Sequence, residues 1–357
     1  MLETSYNNHL TRASSTLTFI DLFAGIGGFR IGFQNQGYKC VFSCEIDKAC
    51  QDVYYDNFSE KPFDDIKQLD PDDIPDFNVL LAGFPCQPFS ICGYRRGFED
   101  TRGTLFFDIC RIIDHKYPDA VLLENVKYLI YHDHGRTLNT IIRTLNDFGY
   151  KVGYEILNAK NFGTPQHRER IFIVCLKDKY FNFSELHTRA TPKLRDFLDK
   201  EGDFEILPKE DYTLIDHPVK QKSGLIFVGY RNKNTFKKGI RPNTQHLSRV
   251  HHQPNRIYSV DGVHPTLPSQ ETAGRFFIYF PESSIVRKLT ISECYRIMGF
   301  PRDFKSCPIN GRSYLQLGNS VFIPQVEEIA RSIKIQLGEP DESQRKASSA
   351  LQPFLFH

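Results

Sequence analysis

Short apolar runs alternate with longer, mixed stretches along the first half of the chain. The runs are rich in β-branched, aromatic and aliphatic residues, and they predict four strands, at 17–23, 40–44, 79–82 and 120–123. The intervening stretches predict three helices, one after Gly28 and two over 49–58 and 105–116. Later in the chain the pattern predicts a strand over 171–176 and a helix over 322–337. This alternation is typical of an α/β fold with a mainly parallel sheet covered by helices.

Each of the four predicted strands leads into a residue that could carry chemistry. These residues are Gly25, Glu45, Cys86 and Glu124. In an open α/β sheet the ligand binds beyond the carboxyl ends of the strands, which is where the four residues would meet. We therefore expect one crevice to contain them all.

The glycine turn at Gly25, Gly27 and Gly28 departs from the dinucleotide-binding pattern G-x-G-x-x-G, because Arg30 replaces the third glycine. Glu45 lies 20 positions after Gly25, as expected for a carboxylate that holds ribose hydroxyls. A tight turn that needs positive φ would also explain the glycines. The pattern favours an adenosine ligand without phosphates, so S-adenosylmethionine suits it better than a nicotinamide dinucleotide.

Cys86 lies in the stiff turn Gly-Phe-Pro-Cys-Gln-Pro-Phe-Ser. It could be a nucleophile, a metal ligand or a small buried hydrophobe. Backbone N–H groups and a nearby arginine can lower the pKa of a thiol at such a turn, whereas a buried cysteine would not need Gln87 and Ser90 beside it. A cysteine protease would need a histidine partner, and no histidine of the chain lies in such a motif.

A carboxyl group, Glu124, follows the predicted strand 120–123, and a pair of arginines, Arg168 and Arg170, precedes the predicted strand 171–176. A thiolate, a carboxylic acid and paired arginines beside an adenosine site are the groups needed to add to a pyrimidine ring and methylate it.

The length of 357 residues suggests two domains or one large one, and 40% hydrophobic with 25% charged residues indicates a soluble globular protein. No apolar run approaches the ~20 residues of a membrane span. The first 16 residues are polar and lack the apolar centre of a signal peptide, so a cytoplasmic location is expected. Nine cysteines without C-x-x-C pairs predict neither a disulfide framework nor a zinc site.

The net charge of +2 conceals a strong local asymmetry. Nine basic and no acidic residues lie between His217 and Arg256, whereas Glu45 to Asp76 contains eleven acidic residues against three lysines. A phosphate backbone should therefore approach the middle of the chain and avoid its early part. A solvated basic face is the alternative explanation, but the basic stretch also carries aromatic, histidine and amide side chains able to contact bases.

The ordered motifs of the chain closely resemble those of bacterial cytosine-5 DNA methyltransferases from restriction-modification systems. The resemblance extends from Phe19 to about Ile335. It rests on the cofactor loop 19–28, Glu45, the pair Asp65-Ile66, the loop 83–90, the segments 97–100 and 102–107, Glu124-Asn125-Val126, Gln166-His167-Arg168-Glu169-Arg170, Arg287-Lys288-Leu289-Thr290, Met298-Gly299-Phe300-Pro301 and Gln316-Leu317-Gly318-Asn319-Ser320-Val321.

The resemblance implies an S-adenosylmethionine-dependent reaction that needs no metal and leaves S-adenosylhomocysteine. It implies that Cys86 adds to C6 of a flipped-out cytosine and that Glu124, with Arg168 beside it, holds or protonates N3. The catalytic residues implied are Cys86, Glu124, Arg168 and Arg170. The cofactor residues implied are Phe23, Gly25, Gly27, Glu45, Ile46, Asp65, Ile66, Pro85, Leu105 and Asn319.

The resemblance also implies a Rossmann-like catalytic domain over 1–183, a smaller target-recognition domain over 184–311, a return to the catalytic domain over 312–338 and a mobile tail over 339–357. Double-stranded DNA would lie in the cleft between the two domains. The DNA contacts expected are Gln87, Ser90, Gln166, Tyr230, Arg231, Arg256, Tyr258 and Thr266. We expect a monomer, whose partner in the cell could be a cognate restriction endonuclease.

Three other functions remain open at this point. A transfer RNA cytosine-5 methyltransferase would share the Pro-Cys-Gln core, but the long basic insert favours duplex DNA. A DNA-binding regulator without catalysis would not need intact Cys86 and Glu124. A nicotinamide dehydrogenase is disfavoured by Arg30 and leaves Cys86 unexplained.

Overall fold

The computed structural model describes residues 16–85, 105–233, 243–269 and 276–339. Its strands β1 to β7 are Thr18–Leu22, Lys39–Cys44, Val79–Gly83, Ala120–Val126, Lys151–Asn158, Gln166–His167 and Glu169–Leu176. Strands β8 to β14 are Ile206–Leu207, Tyr212–Leu214, Phe227–Arg231, Arg256–Ser259, His264–Pro265, Phe277–Phe280 and Ile285–Lys288. Helices α1 to α7 are Gly28–Gln34, Lys48–Phe58, Leu105–Lys116, Arg136–Asp147, Ile291–Ile297, Asn310–Asn319 and Ile323–Gln336.

The main sheet has six strands in the order β2-β1-β3-β4-β7-β5. The pairs β1–β2, β1–β3 and β3–β4 are parallel, while β7 runs antiparallel to both of its neighbours. Because β7 is antiparallel to β4, its first residues lie beside the carboxyl ends of β1 to β4. This topology confirms the predicted α/β class and brings Arg170 to the edge that carries Glu124.

Alternate residues of the central strands pack into different cores, because side chains point to opposite faces with a period of two. Ile20 and Leu80 belong to a core shared with α3 and α4, whereas Phe19, Val79 and Leu81 pack with α1 and α7 on the other face. Both faces of the sheet are thus covered by helices, as parallel sheets require.

The second sheet has the order β8-β14-β13-β11-β10-β9 and is built mostly from antiparallel pairs. A third core joins it to the main unit, since Ile26, Ile31 and Val53 pack with Val260 and Tyr314. The short strands β6 and β12 also pair across this junction. The part of the chain that forms the second sheet is therefore packed directly against the part that contains β1, α1 and α2.

Asp21 is a fully buried carboxyl group near the carboxyl end of β1, and neither of its oxygens has a hydrogen-bond partner among the described residues. Burial raises its pKa from 3.8 to about 8, against the attraction of Arg30. Between these two values the folded protein binds one proton more than the unfolded chain. The free energy of unfolding should therefore fall as pH rises across this window. Above the folded pKa, the stability that the neutral carboxyl group contributes should be lost.

We predict that Asp21→Asn flattens this dependence, because the amide is neutral at every pH. The difference in unfolding free energy between variant and wild type should change by about 1 kcal/mol per pH unit between roughly pH 5 and 7.5. Urea denaturation at several pH values measures it, with the exposed Asp178→Asn as control. Parallel stability curves for wild type and Asp21→Asn would contradict the buried, neutral carboxyl.

Candidate active site

A cavity of about 640 Å³ opens at the carboxyl ends of β1, β2, β3 and β4. It lies where the ends of parallel strands leave room between their outgoing loops. Two of the predicted catalytic residues, Glu124 and Arg170, line it. So do all the predicted cofactor residues except Gly27, namely Phe23, Gly25, Glu45, Ile46, Asp65, Ile66, Pro85, Leu105 and Asn319. Three of the four residues expected in the crevice, Gly25, Glu45 and Glu124, thus line one cavity.

The turn after β1 takes an unusual backbone course around this cavity. Phe23, Gly25 and Gly27 all have positive φ, at 58°, 54° and 86°. The N–H of Gly25 donates to Oε2 of Glu45 at 2.8 Å, and Oε1 accepts from the N–H of Asp47 at 2.8 Å. The Glu45 carboxylate is therefore held between the glycine turn and the start of α2. Burial raises its pKa, although these backbone donors oppose the rise.

Gly27 supports the turn from behind and does not face the cavity. A Cβ added there would lie 2.3 Å from the ring of Phe58, whereas one added at Gly25 would meet no atom within 4 Å. The two glycines therefore serve different purposes: Gly27 permits close packing, and Gly25 leaves space beside the cavity.

We predict that Gly27→Ala lowers the stability of the cofactor-free protein by about 2–4 kcal/mol, from the left-handed backbone and the clash with Phe58. Gly25→Ala should cost less stability, because the added methyl group meets no protein atom. It should instead weaken S-adenosylmethionine binding, because the methyl group would project into the cavity where the cofactor is expected to bind. Thermal unfolding and titration calorimetry of both variants separate the two effects. Equal stability losses, or unchanged cofactor affinity in Gly25→Ala, would contradict this division.

The charged groups around the cavity are mostly acidic. Five acidic side chains line it, Glu45, Asp47, Asp64, Asp65 and Glu124, against the three cations Lys67, Arg170 and Arg312. Such a wall suits a cationic sulfonium better than a pyrophosphate. The exposed Ile46 and the buried Ile66 add apolar surface for a base.

Arg30, which replaces the third glycine of the dinucleotide pattern, does not face the cavity either. Its buried guanidinium donates to Glu60 at 2.6 Å and to the hydroxyl of Tyr54 at 3.1 Å, and it lies 4.4 Å from the ring centroid of Phe58. The cation braces α1 against α2, so it is turned away from any ligand of the glycine turn.

Glu124 is buried near the end of β4, and its Oε1 lies 3.1 Å from Nε of Arg170. The antiparallel register, with Val126 opposite Arg170, produces this contact. Burial raises the pKa of Glu124 although Arg170 and Arg168 both act to lower it. The carboxyl group is therefore set to hold a proton at a higher pH than a surface glutamate would.

Arg168 has a different environment from the one expected. The structure brings Arg170, and not Arg168, into contact with Glu124. The Arg168 guanidinium donates to the carbonyls of Gly318, at 3.0 Å, and Ser320, where α6 ends. A helix carboxyl end attracts a cation because its last carbonyls lack partners within the helix. Arg168 thus ties the start of β7 to the segment that carries Asn319.

Asn125 is a site residue that the sequence analysis did not single out, although it lay within a quoted motif. It is buried, lines the cavity and donates from Nδ2 to the carbonyl of Phe84 at 2.8 Å. It thereby joins the end of β4 to the chain that leaves β3 toward Pro85. Cys86, Gln87 and Ser90 lie outside the described residues. Arg312 and Ser320 also line the cavity, and no local signal marked Arg312 beforehand.

Two predicted DNA contacts lie at the junction of the sheets. Gln166 is 0% exposed, with Nε2 3.3 Å from Sδ of Met298 and Oε1 accepting from the N–H of Leu267 at 3.4 Å. The hydroxyl of Thr266 donates to the carbonyl of His167 at 2.9 Å. In this structure both side chains join β6 to the segment around β12, and Gln166 has no surface available to DNA.

Two further predicted DNA contacts, Tyr230 and Arg256, lie against His251. Tyr230 stacks on its ring at 4.1 Å, and the guanidinium of Arg256 donates to its carbonyl at 2.9 Å. Arg231 lies over the ring of Phe277 at 4.7 Å, while Tyr258 is buried. Tyr230, Arg231 and Arg256 are partly exposed and lie on the paired strands β10 and β11.

Within residues 16–85, 105–233, 243–269 and 276–339, no group of three or more His, Cys, Asp or Glu side chains could hold a metal ion. None of the helices in the described part of the chain is long and apolar enough to cross a membrane.

A family model for C-5 cytosine-specific DNA methylases matches residues 17–335. Type II methyltransferase M.HhaI of Haemophilus parahaemolyticus is 39% identical over 320 residues, which cover 89% of this chain and 94% of that protein. Type II methyltransferase M.NgoBI of Neisseria gonorrhoeae is 43% identical over 311 residues, covering 86% and 90%. The chain belongs to the C-5 cytosine-specific DNA methylase family.

Solved structures share the fold of this methylase. The S. pombe Dnmt2 methyltransferase aligns with a TM-score of 0.62 at 18% identity over 90% of this chain and 99% of that chain. The Entamoeba histolytica methyltransferase EhMeth aligns with a TM-score of 0.60 at 17% identity over 91% and 99%. The predicted fold class and the predicted enzyme class, a DNA cytosine-5 methyltransferase, are both confirmed. The methyl donor of this methylase is S-adenosylmethionine.

Proposed function

We propose that the methylase transfers a methyl group from S-adenosylmethionine to C5 of a flipped-out cytosine in a short, specific duplex sequence, through a covalent bond between Cys86 and C6. The observation that supports it most is the buried Glu124–Arg170 pair in the wall of an acid-lined cavity. A carboxyl group with a raised pKa is thereby available beside a site suited to a sulfonium cofactor.

The cofactor residues fit an adenosine with a sulfonium tail. Glu45 would accept hydrogen bonds from the ribose hydroxyls, because its carboxylate is already fixed by Gly25 and Asp47. Ile46, Ile66 and Leu105 would pack around the adenine. When bound, S-adenosylmethionine supplies an electrophilic methyl group and leaves as S-adenosylhomocysteine.

The reaction begins with the Cys86 thiolate adding to C6 of cytosine, which forms the S–C6 bond and moves electron density toward N3. Glu124 donates its proton to N3 and so neutralises the charge that develops there, while Arg170 stabilises the resulting carboxylate. C5 is then an enamine carbon that accepts the methyl group. Loss of the C5 proton to a base expels the Cys86 thiolate, and N3 returns its proton to Glu124. No step requires a metal.

The target cytosine must leave the base stack because C6 is inaccessible within it, at a cost of about a few kcal/mol. The domain over 184–311, with its basic stretch 217–256, would hold the duplex in the cleft against the catalytic domain formed by 1–183 and 312–338. Of the predicted contacts on β10 and β11, Tyr230, Arg231 and Arg256 are partly exposed, whereas Tyr258 is buried. We further propose a monomer that protects host DNA from a cognate restriction endonuclease, the role that the type II relatives suggest.

Transfer of radiolabelled methyl groups to unmethylated plasmid DNA and to total transfer RNA, in parallel, tests the substrate. Label in the plasmid and none in the transfer RNA is the expected result. Label in the transfer RNA alone would replace the DNA assignment with the RNA one. Duplex binding without label in either would indicate a regulator that has lost catalysis.

A further inference from the structure

Two exposed tyrosines lie just after β4, the strand that contains Glu124. They belong to a segment that has no role in the proposed function. β4 carries Glu124 and Val126 into the wall of the cavity, and the chain continues at once into a 3₁₀ turn, Lys127–Ile130. Tyr128 is 62% exposed and Tyr131 63% exposed. Large aromatic side chains so close to an active site are a candidate contact surface.

The backbone places both rings on one side of the turn. A 3₁₀ helix has 3.0 residues per turn, so that side chains three positions apart lie above one another. The N–H of Tyr131 donates to the carbonyl of Tyr128 at 2.9 Å, which fixes this register. Leu129 is fully buried in the main core and Ile130 packs against it. The turn is therefore anchored by its apolar side and presents the two tyrosines together to solvent.

Neighbouring contacts hold this surface in place. The ring of Tyr128 meets that of His132 edge-on, with centroids 6.3 Å apart, and Nδ1 of His132 lies 2.7 Å from Oγ1 of Thr137. Asp133 and His134 have positive φ, at 51° and 56°. Consecutive non-glycine residues in the left-handed region are unfavourable, and such strain persists mainly where function maintains it.

The substrate of the reaction explains such a surface. Flipping a nucleotide out of a duplex leaves its neighbours unstacked, and aromatic rings bind exposed bases whatever their sequence. The two permanent cations of the segment, Lys127 and Arg136, are each paired with one carboxylate, Glu169 and Asp133, so these four groups carry no net negative charge that would repel phosphates. It also continues directly from the cavity wall that the target cytosine must reach.

We propose that Tyr128 and Tyr131 contact the DNA strand that carries the target cytosine, stacking on bases or sugars next to the flipped nucleotide. This inference rests on the proposed function and adds a recognition element to the catalytic side of the duplex. This contact does not depend on the DNA sequence, whereas sequence-specific base contacts are expected from the target-recognition domain over 184–311.

The test compares two double variants, Tyr128→Ala with Tyr131→Ala and Tyr128→Phe with Tyr131→Phe. Tyr180→Ala is the matched control, because Tyr180 is 65% exposed but follows the carboxyl end of β7, at the opposite edge of the sheet. The alanine pair should raise the Kd for duplex and the KM for DNA about tenfold or more, while the phenylalanine pair stays within about twofold of wild type. KM for S-adenosylmethionine and the Tm should not change.

Binding is measured by fluorescence anisotropy on an unmethylated duplex that contains the sequence methylated by the enzyme, and on an unrelated duplex of equal length. Methyl transfer is measured separately. An alanine pair that matches Tyr180→Ala would overturn the proposal, and so would a phenylalanine pair as weak as the alanine pair. A wild-type dimer that the alanine pair dissociates would identify a second copy as the partner instead. Tyrosine-dependent binding without methyl transfer would refute the proposed function alone, and a wild type that binds no duplex would refute both.

Discussion

Cys86→Ser is expected to lower the rate of methyl transfer to DNA by at least about 10³-fold, because a serine hydroxyl is far less nucleophilic and far less ionised than a thiol. The hydrogen bond from Asn125 to the carbonyl of Phe84 should be unaffected by the exchange of sulfur for oxygen. Binding of S-adenosylmethionine should therefore persist. Initial rates with radiolabelled cofactor measure the loss.

A second readout follows the covalent bond itself. A duplex containing 5-fluorocytosine cannot release a proton from C5 after methylation, so wild-type enzyme should remain attached to it and gain the mass of the DNA. Cys86→Ser should form no such complex, whereas Cys92→Ser, the nearest other cysteine in the sequence, should behave as wild type. A covalent complex that persists in Cys86→Ser would place the nucleophile elsewhere.

Glu124→Gln is expected to lower kcat by about 10²- to 10⁴-fold, the range lost when a general acid is removed. Glutamine keeps the size of the side chain and can still meet Arg170, but it has no acidic proton for N3. Single-turnover rates with saturating DNA and cofactor measure the effect. The exposed Glu155→Gln on the edge strand β5 is a charge-matched control that should retain full activity.

The pH profile separates this role from a structural one. Burial raises the pKa of Glu124, so its protonated fraction falls as pH rises through that value, and wild-type kcat should decline on the alkaline side. The residual rate of Glu124→Gln should lack this decline. A variant that keeps the alkaline decline, or that loses less than about tenfold in kcat, would show that Glu124 is not the acid.

Local patterns predicted the strands and helices of the first half of the chain that line the cavity, because their apolar runs are clear, but they did not predict α6, which also lines it. The helix over 105–116 is confirmed as Leu105–Lys116, and it buries Phe106, Ile109 and Ile113 at helical spacing. Strand β5 was not predicted. It is an edge strand in which Glu155 is exposed and Gly153 weakens the signal, so that burial is confined to Val152 and Leu157.

Contacts between distant segments were beyond the reach of local patterns. The motif that contains Arg168 and Arg170 indicated two arginines near Glu124. The antiparallel register of β4 and β7 brings Arg170 to Glu124. Arg168 instead binds the carbonyls of Gly318 and Ser320 at the end of α6. Gln166 is buried for the same kind of reason, since its amide faces Met298 across the junction of the two sheets. Such assignments depend on pairings between residues far apart in the sequence, and for Gln166 and Arg168 the partners are more than 100 positions away.

The measurement that tests the central claim most directly is bisulfite sequencing of unmethylated plasmid DNA after incubation with the methylase and S-adenosylmethionine. The account predicts protected cytosines at one recurrent short sequence, and none with Cys86→Ser. An enzyme that binds both duplex DNA and S-adenosylmethionine but protects no cytosine, or one whose protection survives in Cys86→Ser, would contradict it.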